Sequence, residues 1–148
     1  MSKNFEFTCH HVGIFVSDLD ASIKWYDEVL GFKMAKRNIA HLPTGDQDMC
    51  FLTNGKMYIE LYDKKELAPF SMANYQGELG TKHICLEFAD EDYEELKAHL
   101  VAHNVNIIVD TCHPEVICGK PGGNRVLYIE DPDHILIEFT DVFRPETY

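Results

Sequence analysis

Hydrophobic and polar positions along the chain change period in the same order twice. The first cycle opens with "HVGIFVSD", His11 to Asp18, a short apolar run rich in β-branched residues that predicts a strand. "SDLDASIKWYDEVLGF" follows, and there Ser17, Asp18 or Asp20 can cap a helix. Ile23, Tyr26, Val29 and Leu30 recur at helical spacing, and Gly31 supplies the stop. "FKMAKRN", "QDMCFLTN" and "KMYIELYD" then predict three strands. "TNGK" joins the last two as a hairpin turn, with Asn54 and Gly55 suited to positive φ.

The second cycle opens with "HICLEFAD", His83 to Asp90. Like "HVGIFVSD" it has His first, an apolar run, and Asp at the eighth place, 72 residues further on. A helix is again predicted after it, in "EDYEELKAHLVAHNV", with Tyr93, Leu96, Leu100 and Val101 on one face. "NIIVD", "NRVLYIED" and "HILIEFTD" predict the remaining strands. The last strands also match, "YIELY" with "LIEFT", at an offset of 78 residues. A two-copy repeat of this kind predicts two β-α-β-β-β modules, 5–66 and 81–141, within one domain spanning 1–148. The linker 67–80, "LAPFSMANYQGELG", carries Pro and Gly punctuation. "TCHPEVICGKPGGN", Thr111 to Asn124, is an irregular stretch of the kind that is often functional in a compact domain.

Composition narrows the partners. With 148 residues, 45% hydrophobic and 11% aromatic, the chain can bury a real core. A net charge of -12, with no basic run longer than Lys64-Lys65, argues against nucleic acid and anionic membrane surfaces as partners. No apolar stretch approaches the ~20 residues of a membrane helix, and "MSKNFEF" has no signal core, so a cytoplasmic protein is expected. Five cysteines without a CxxC are expected to be reduced and mostly packed. The dipeptides Cys9-His10 and Cys112-His113 lack the spacing of structural zinc sites.

The repeat places four ligand-type residues at matched positions. His11 and His83 open the first strands, and Glu60 and Glu138 sit mid-way in the last ones. Each Glu stands between apolar neighbours, Ile59 and Leu61 or Ile137 and Phe139, so it points to the face they avoid. Taken singly, such a Glu faces solvent and such a His is a polar edge residue. Taken together, two His and two Glu at equivalent positions can converge across a pseudo-twofold axis. Imidazole with carboxylate suits a borderline divalent ion such as Ni, Co, Zn, Mn or Fe. Four protein ligands on an octahedral ion leave two positions for water or substrate oxygens. The same alternation predicts the remaining lining: Phe15, Tyr58, Tyr62, Cys85, Glu87, Leu136 and Thr140, mostly apolar and aromatic. By register with its Asp, His11 faces this lining, and His10 is expected to face helices, solvent or a partner subunit.

At these residues the chain resembles the vicinal oxygen chelate superfamily, and within it the glyoxalase I (lactoylglutathione lyase) group. "HVGIFVSDLDASIKWYDEVLGF" looks like the opening strand, helix and turn of that family. "IELY", "KHICLEF" and "YIEDPDHILIEF" look like its other ligand segments. The resemblance implies an α+β fold in which paired βαβββ modules form a cupped mixed sheet, usually within a homodimer. The modules can pair within one chain or exchange between two. It implies one divalent metal held by His11, Glu60, His83 and Glu138. The implied activity is that of a lyase or isomerase moving a proton beside a carbonyl through a metal-held enediolate, with Glu138 first and Glu60 second as the base. The substrate would be a small carbonyl compound, including a thiol adduct. Methylmalonyl-CoA epimerases usually carry Gln at the Glu60 position. Extradiol dioxygenases and fosfomycin-resistance enzymes use three protein ligands, and bleomycin-binding members lack the metal set. The alternatives are therefore an epimerase of the methylmalonyl-CoA type or a small-molecule-binding resistance protein. The glutathione clamp of bacterial glyoxalase I enzymes is not intact. Its Arg position is Phe15 and its Asn position is Lys64, a residue that could hold an anionic substrate. His134 stands where the family usually has Gly and reads as a turn residue with left-handed backbone.

Overall fold

A computed structural model describes residues 9–42, 45–64, 83–113 and 122–141. The linker 67–80, Cys118 and most of the irregular stretch, 114–121, lie outside the described residues. The chain divides into two compact units, Met1–Ala68 and Pro69–Tyr148.

The first unit runs β1 (His11–Val16), α1 (Leu19–Leu30), β2 (Lys33–Leu42), β3 (Gly45–Thr53) and β4 (Tyr58–Asp63). Its strands lie in the order β1-β4-β3-β2. β1 pairs with β4 in parallel, and the other pairings are antiparallel. Of the three candidate caps of α1, Asp18 serves: its carboxylate accepts from the Ala21 backbone N–H at 3.0 Å. Gly31 closes the helix at φ 69, a conformation without the Cβ clash that other residues meet there. α1 lies over β2, β3 and β4. Tyr26, Leu52, Ile59 and Leu61 are each at most 1% exposed in this layer. Each such side chain contributes roughly 1.5–3 kcal/mol by leaving water. β2 and β3 run further than their apolar pattern predicts, out to the Leu42–Gly45 pair, because hairpin pairing of the backbone carries exposed polar residues along. The β3–β4 turn is held by side chains: Asn54 Oδ1 accepts from the N–H groups of Lys56 and Met57, and Thr53 Oγ1 accepts from that of Gly55. Gly55 takes the positive φ, 84°, and Asn54 does not.

The second unit repeats the plan: β5 (Ile84–Phe88), a 3₁₀ turn (Asp90–Asp92), α2 (Tyr93–Ala102), β6 (Ile107–His113), β7 (Asn124–Glu130) and β8 (Leu136–Asp141). The order is β5-β8-β7-β6, with β5 and β8 parallel. Even the irregularities recur, with a register shift between Met34 and Lys36 in β2 and between Ile107 and Val109 in β6. The fold is thus α+β, built from two βαβββ modules. In α2, Tyr93 and Leu100 are buried, but Val101 is 65% exposed and does not share their face. It follows Leu100 by one residue, about 100° further round the helix, which carries it past the packed side. Tyr93 anchors the helix: its hydroxyl donates to Asp110, its ring stacks on Phe88, and the Lys97 and Arg125 cations lie over that ring.

The turn before β8 is built on Asp131, whose carboxylate accepts from the backbone N–H groups of Asp133 and Ile135, both at 2.9 Å. His134 sits there at φ 65, as expected of a turn residue. Of the four described cysteines, none in a disulfide, only Cys50 is buried. Cys9, Cys85 and Cys112 lie on strands or ends with an open face, so the expectation of mostly packed thiols does not hold for them. Among the described residues, no helix is long and apolar enough to cross a membrane.

Candidate functional site

In the first unit the site face follows from the parallel register. His11 pairs with Tyr58, Gly13 with Glu60, and Phe15 with Tyr62, so all six lie on one side of the sheet. Val16, Ile59 and Leu61 are buried on the other side, where β4 packs under α1. His11 Nε2 lies 3.2 Å from Glu60 Oε2. Glu60 is only 8% exposed, and a buried carboxylate is costly unless it is paired. His11 is one partner, and the Tyr62 hydroxyl is the other. Partial burial and the bond to Glu60 together hold the Tyr62 phenol above its ordinary pKa, so it stays a donor. Phe15 packs at 5.9 Å from the Tyr62 ring, and the Lys64 ammonium lies 5.8 Å from the centre of the Phe15 ring.

The second unit builds the same pair. Cys85 registers with Glu138, and Glu87 with Thr140, while His83 stands just before β5. His83 Nε2 lies 2.7 Å from Glu138 Oε2. The other ring nitrogen of His83 is buried and has no hydrogen-bond partner among the described residues. Cys85 takes the supporting role at Glu138: desolvation, then the charges of Glu138 and Glu87, push its thiol up to about 11, and it hydrogen-bonds Glu138. Leu136 is buried, and Thr140 accepts from the Asn124 amide at 2.7 Å.

Two aromatic residues at the site escaped the sequence reading. Phe51 registers with Glu60 and meets the His11 ring edge-on at 5.6 Å. Tyr128 registers with Glu138 and meets the His83 ring in the same way at 5.7 Å. The signal was the neighbouring antiparallel strand: Phe51 and Tyr128 stand 77 residues apart, close to the glutamate offset of 78. His10 is a correction. It does not turn away from the site, because β1 begins at His11 and alternation has no hold on the residue before it. Its ring stacks on Tyr58 at 5.2 Å, and its Nδ1 lies 2.8 Å from Nδ1 of His11.

The structure therefore brings together His11 with Glu60, and His83 with Glu138. Among the described residues of either unit, no three His, Cys, Asp or Glu side chains gather closely enough to hold a metal ion. Each unit offers instead one imidazole nitrogen beside one carboxylate oxygen, 3.2 Å apart in the first and 2.7 Å in the second. Imidazole nitrogen and carboxylate oxygen are donors that suit a borderline divalent ion.

Residues 8–139 match the model of the Glyoxalase/Bleomycin resistance protein/Dioxygenase superfamily. The chain belongs to this family. It is 35% identical over 136 residues to the uncharacterized protein YwbC of Bacillus subtilis (strain 168), across 87% of this chain and 93% of that protein. Its fold is similar to that of the fosfomycin resistance protein FosX from Listeria monocytogenes complexed with Mn(II) and sulfate. There the TM-score is 0.65 at 15% identity, over 95% of each chain. It is also similar to lactoylglutathione lyase from Agrobacterium tumefaciens, with a TM-score of 0.61 at 22% identity over 90% of this chain and 92% of that one.

Proposed function

We propose that the chain is a divalent-metal-dependent lyase or isomerase of the glyoxalase I type, in which His11, Glu60, His83 and Glu138 hold one ion. The observation that carries this reading is the repeated pair, with imidazole Nε2 facing carboxylate Oε2 at 3.2 Å in one unit and 2.7 Å in the other. Its support from relatives is the family match together with folds like those of a Mn(II)-bound FosX and a lactoylglutathione lyase. When bound, the ion supplies Lewis acidity to a substrate carbonyl.

The rest is the work of the chain's own residues. Glu138 takes the proton from the carbon beside the carbonyl and returns it to the neighbouring carbon, with Glu60 as the second choice for this role. Tyr62 and Cys85, as hydrogen-bond donors to Glu60 and Glu138, hold the two carboxylates in place. Phe15, Tyr58, Tyr62 and Lys64 receive the body of the substrate, Lys64 through an anionic group. Glu87, Leu136 and Thr140 line the second unit's share, and a homodimer in the cytoplasm is the assembly this reading carries.

The test is the Glu138→Gln variant, loaded with Ni, Co, Zn, Mn or Fe and offered methylglyoxal with glutathione, or methylmalonyl-CoA. Ion binding should persist while turnover falls by at least ~100-fold, the lower range for loss of a general acid or base. Unchanged turnover removes Glu138 from the mechanism. Turnover of the CoA ester alone moves the assignment to an epimerase. A wild-type chain that takes up no ion removes the metal chemistry altogether.

A further inference from the structure

We infer that His10 is a positioning residue for His11: it accepts the Nδ1–H of His11 and so fixes the tautomer whose Nε2 lone pair is free for an ion. The inference rests on the metal reading above. The two Nδ1 atoms are 2.8 Å apart, so one nitrogen carries the proton and the other accepts it. Nε2 of His11 is the nitrogen facing Glu60, and a ligating nitrogen must be unprotonated. While no ion is bound, the contact with Glu60 keeps a proton on Nε2; once an ion takes that nitrogen, the His11 proton resides on Nδ1, and His10 is the acceptor, with its own proton on Nε2. Metal-ligating histidines almost always use their second nitrogen in this way, with a carboxylate, carbonyl or water as the usual partner. Here a second imidazole fills that place.

The ring of His10 is itself held. It lies nearly parallel to Tyr58, at 19° and 5.2 Å between centroids, and Tyr58 registers with His11 across the β1–β4 pair. Phe51 in turn meets both His11 and Tyr58 edge-on. The chain His10–His11–Glu60 thus runs from an exposed imidazole through the ligand to the buried carboxylate. In the second unit no such partner stands at Nδ1 of His83 among the described residues.

Three variants at this exposed position separate the hydrogen bond from the stacking. His10→Ala loses both, His10→Phe keeps a ring on Tyr58 without an acceptor, and His10→Asn restores an acceptor. Zinc affinity is measured by competition with a chelating dye, and the His11 ring nitrogen shifts are read by NMR in the zinc-loaded protein. Affinity should fall about 10–100-fold in His10→Ala and His10→Phe, the usual cost of losing such a partner, and recover in His10→Asn. In the wild type, the His11 shifts should show a protonated Nδ1 and a ligated Nε2. If His10→Phe binds zinc as tightly as the wild type, the inference falls while the metal reading stands. Ligation of His11 through Nδ1 also overturns it. A wild-type chain that binds no zinc or any other of the five ions overturns both.

Discussion

Gly13 is the point at which the first unit's carboxylate can be disturbed without changing His11 or Glu60. It registers with Glu60, and a Cβ built on it would stand 3.6 Å from Glu60 Oε2 and 3.6 Å from a carbon of the Tyr62 ring. Both are ordinary van der Waals contacts, so Gly13→Ala should fit without displacing either. Because Gly in a strand interior costs roughly 0.5–1 kcal/mol relative to Ala, the alanine variant should be more stable by about that amount. Valine is different. Each γ-carbon lies about 1.5 Å beyond Cβ, so one aimed at either neighbour approaches to roughly 2–2.5 Å unless something moves, well inside the ~3.5 Å of a relaxed contact. With an oxygen and a ring carbon both touching Cβ, a γ-carbon must press on the carboxylate or on the tyrosine that holds it. The expected overpacking cost is about 1–3 kcal/mol, and the larger effect should be on ion binding, at least ~10-fold weaker. Thermal melts read the first quantity, and titration of metal-free protein with zinc or nickel reads the second. Gly13→Val binding the ion as tightly as Gly13→Ala would refute the placement of Glu60 as a ligand held from this side.

Two further outcomes test other parts of the frame. His134→Gly should raise stability by about 0.5–1 kcal/mol and the melting temperature by about 1–4 °C. Relief of the left-handed φ of 65°, worth ~1–2 kcal/mol, exceeds the exposed His134–Glu130 contact at 2.8 Å, worth ~0–1 kcal/mol; a lower melting temperature would show that the contact wins. The hydrogen bond from Lys97, then that from Tyr93, holds the Asp110 carboxyl below its usual range. Its contribution is therefore present above the unfolded value near 4 and is lost as the pH falls through the lower folded one. Asp110→Asn should flatten the acid limb of a stability–pH curve in that window and leave the neutral-to-alkaline limb alone; an unchanged acid limb would show that the Lys97 pairing contributes nothing in solution.

What could be read without coordinates depended on which physical rule governed each residue. His11, Glu60 and Glu138 were legible because strand alternation against an apolar core decides which side a residue takes, and His83, which stands just before β5, was legible from the repeat alone. Phe51 and Tyr128 were not, because their places depend on the register of a neighbouring strand, which backbone pairing sets and which leaves only a faint trace along a single strand. The outer ends of β2 and β3 were missed for the same reason: a hairpin ladder extends past the residues that bury anything. His10 failed differently. Alternation was carried one residue beyond the strand to which it applies, and that single step turned a partner of His11 into a bystander. The two units also differ where the donors agree. Glu60 is supported by Tyr62 from its own strand, with Gly13 opposite, whereas Glu138 is supported by Cys85 from the neighbouring strand. An ion constrains the donor atoms tightly. A part-buried carboxylate constrains its supports only to supply a hydrogen, which a phenol and a thiol both do. The repeat is therefore conspicuous at the two His–Glu pairs and faint around them, and it is in those supports that this chain departs from its own internal symmetry.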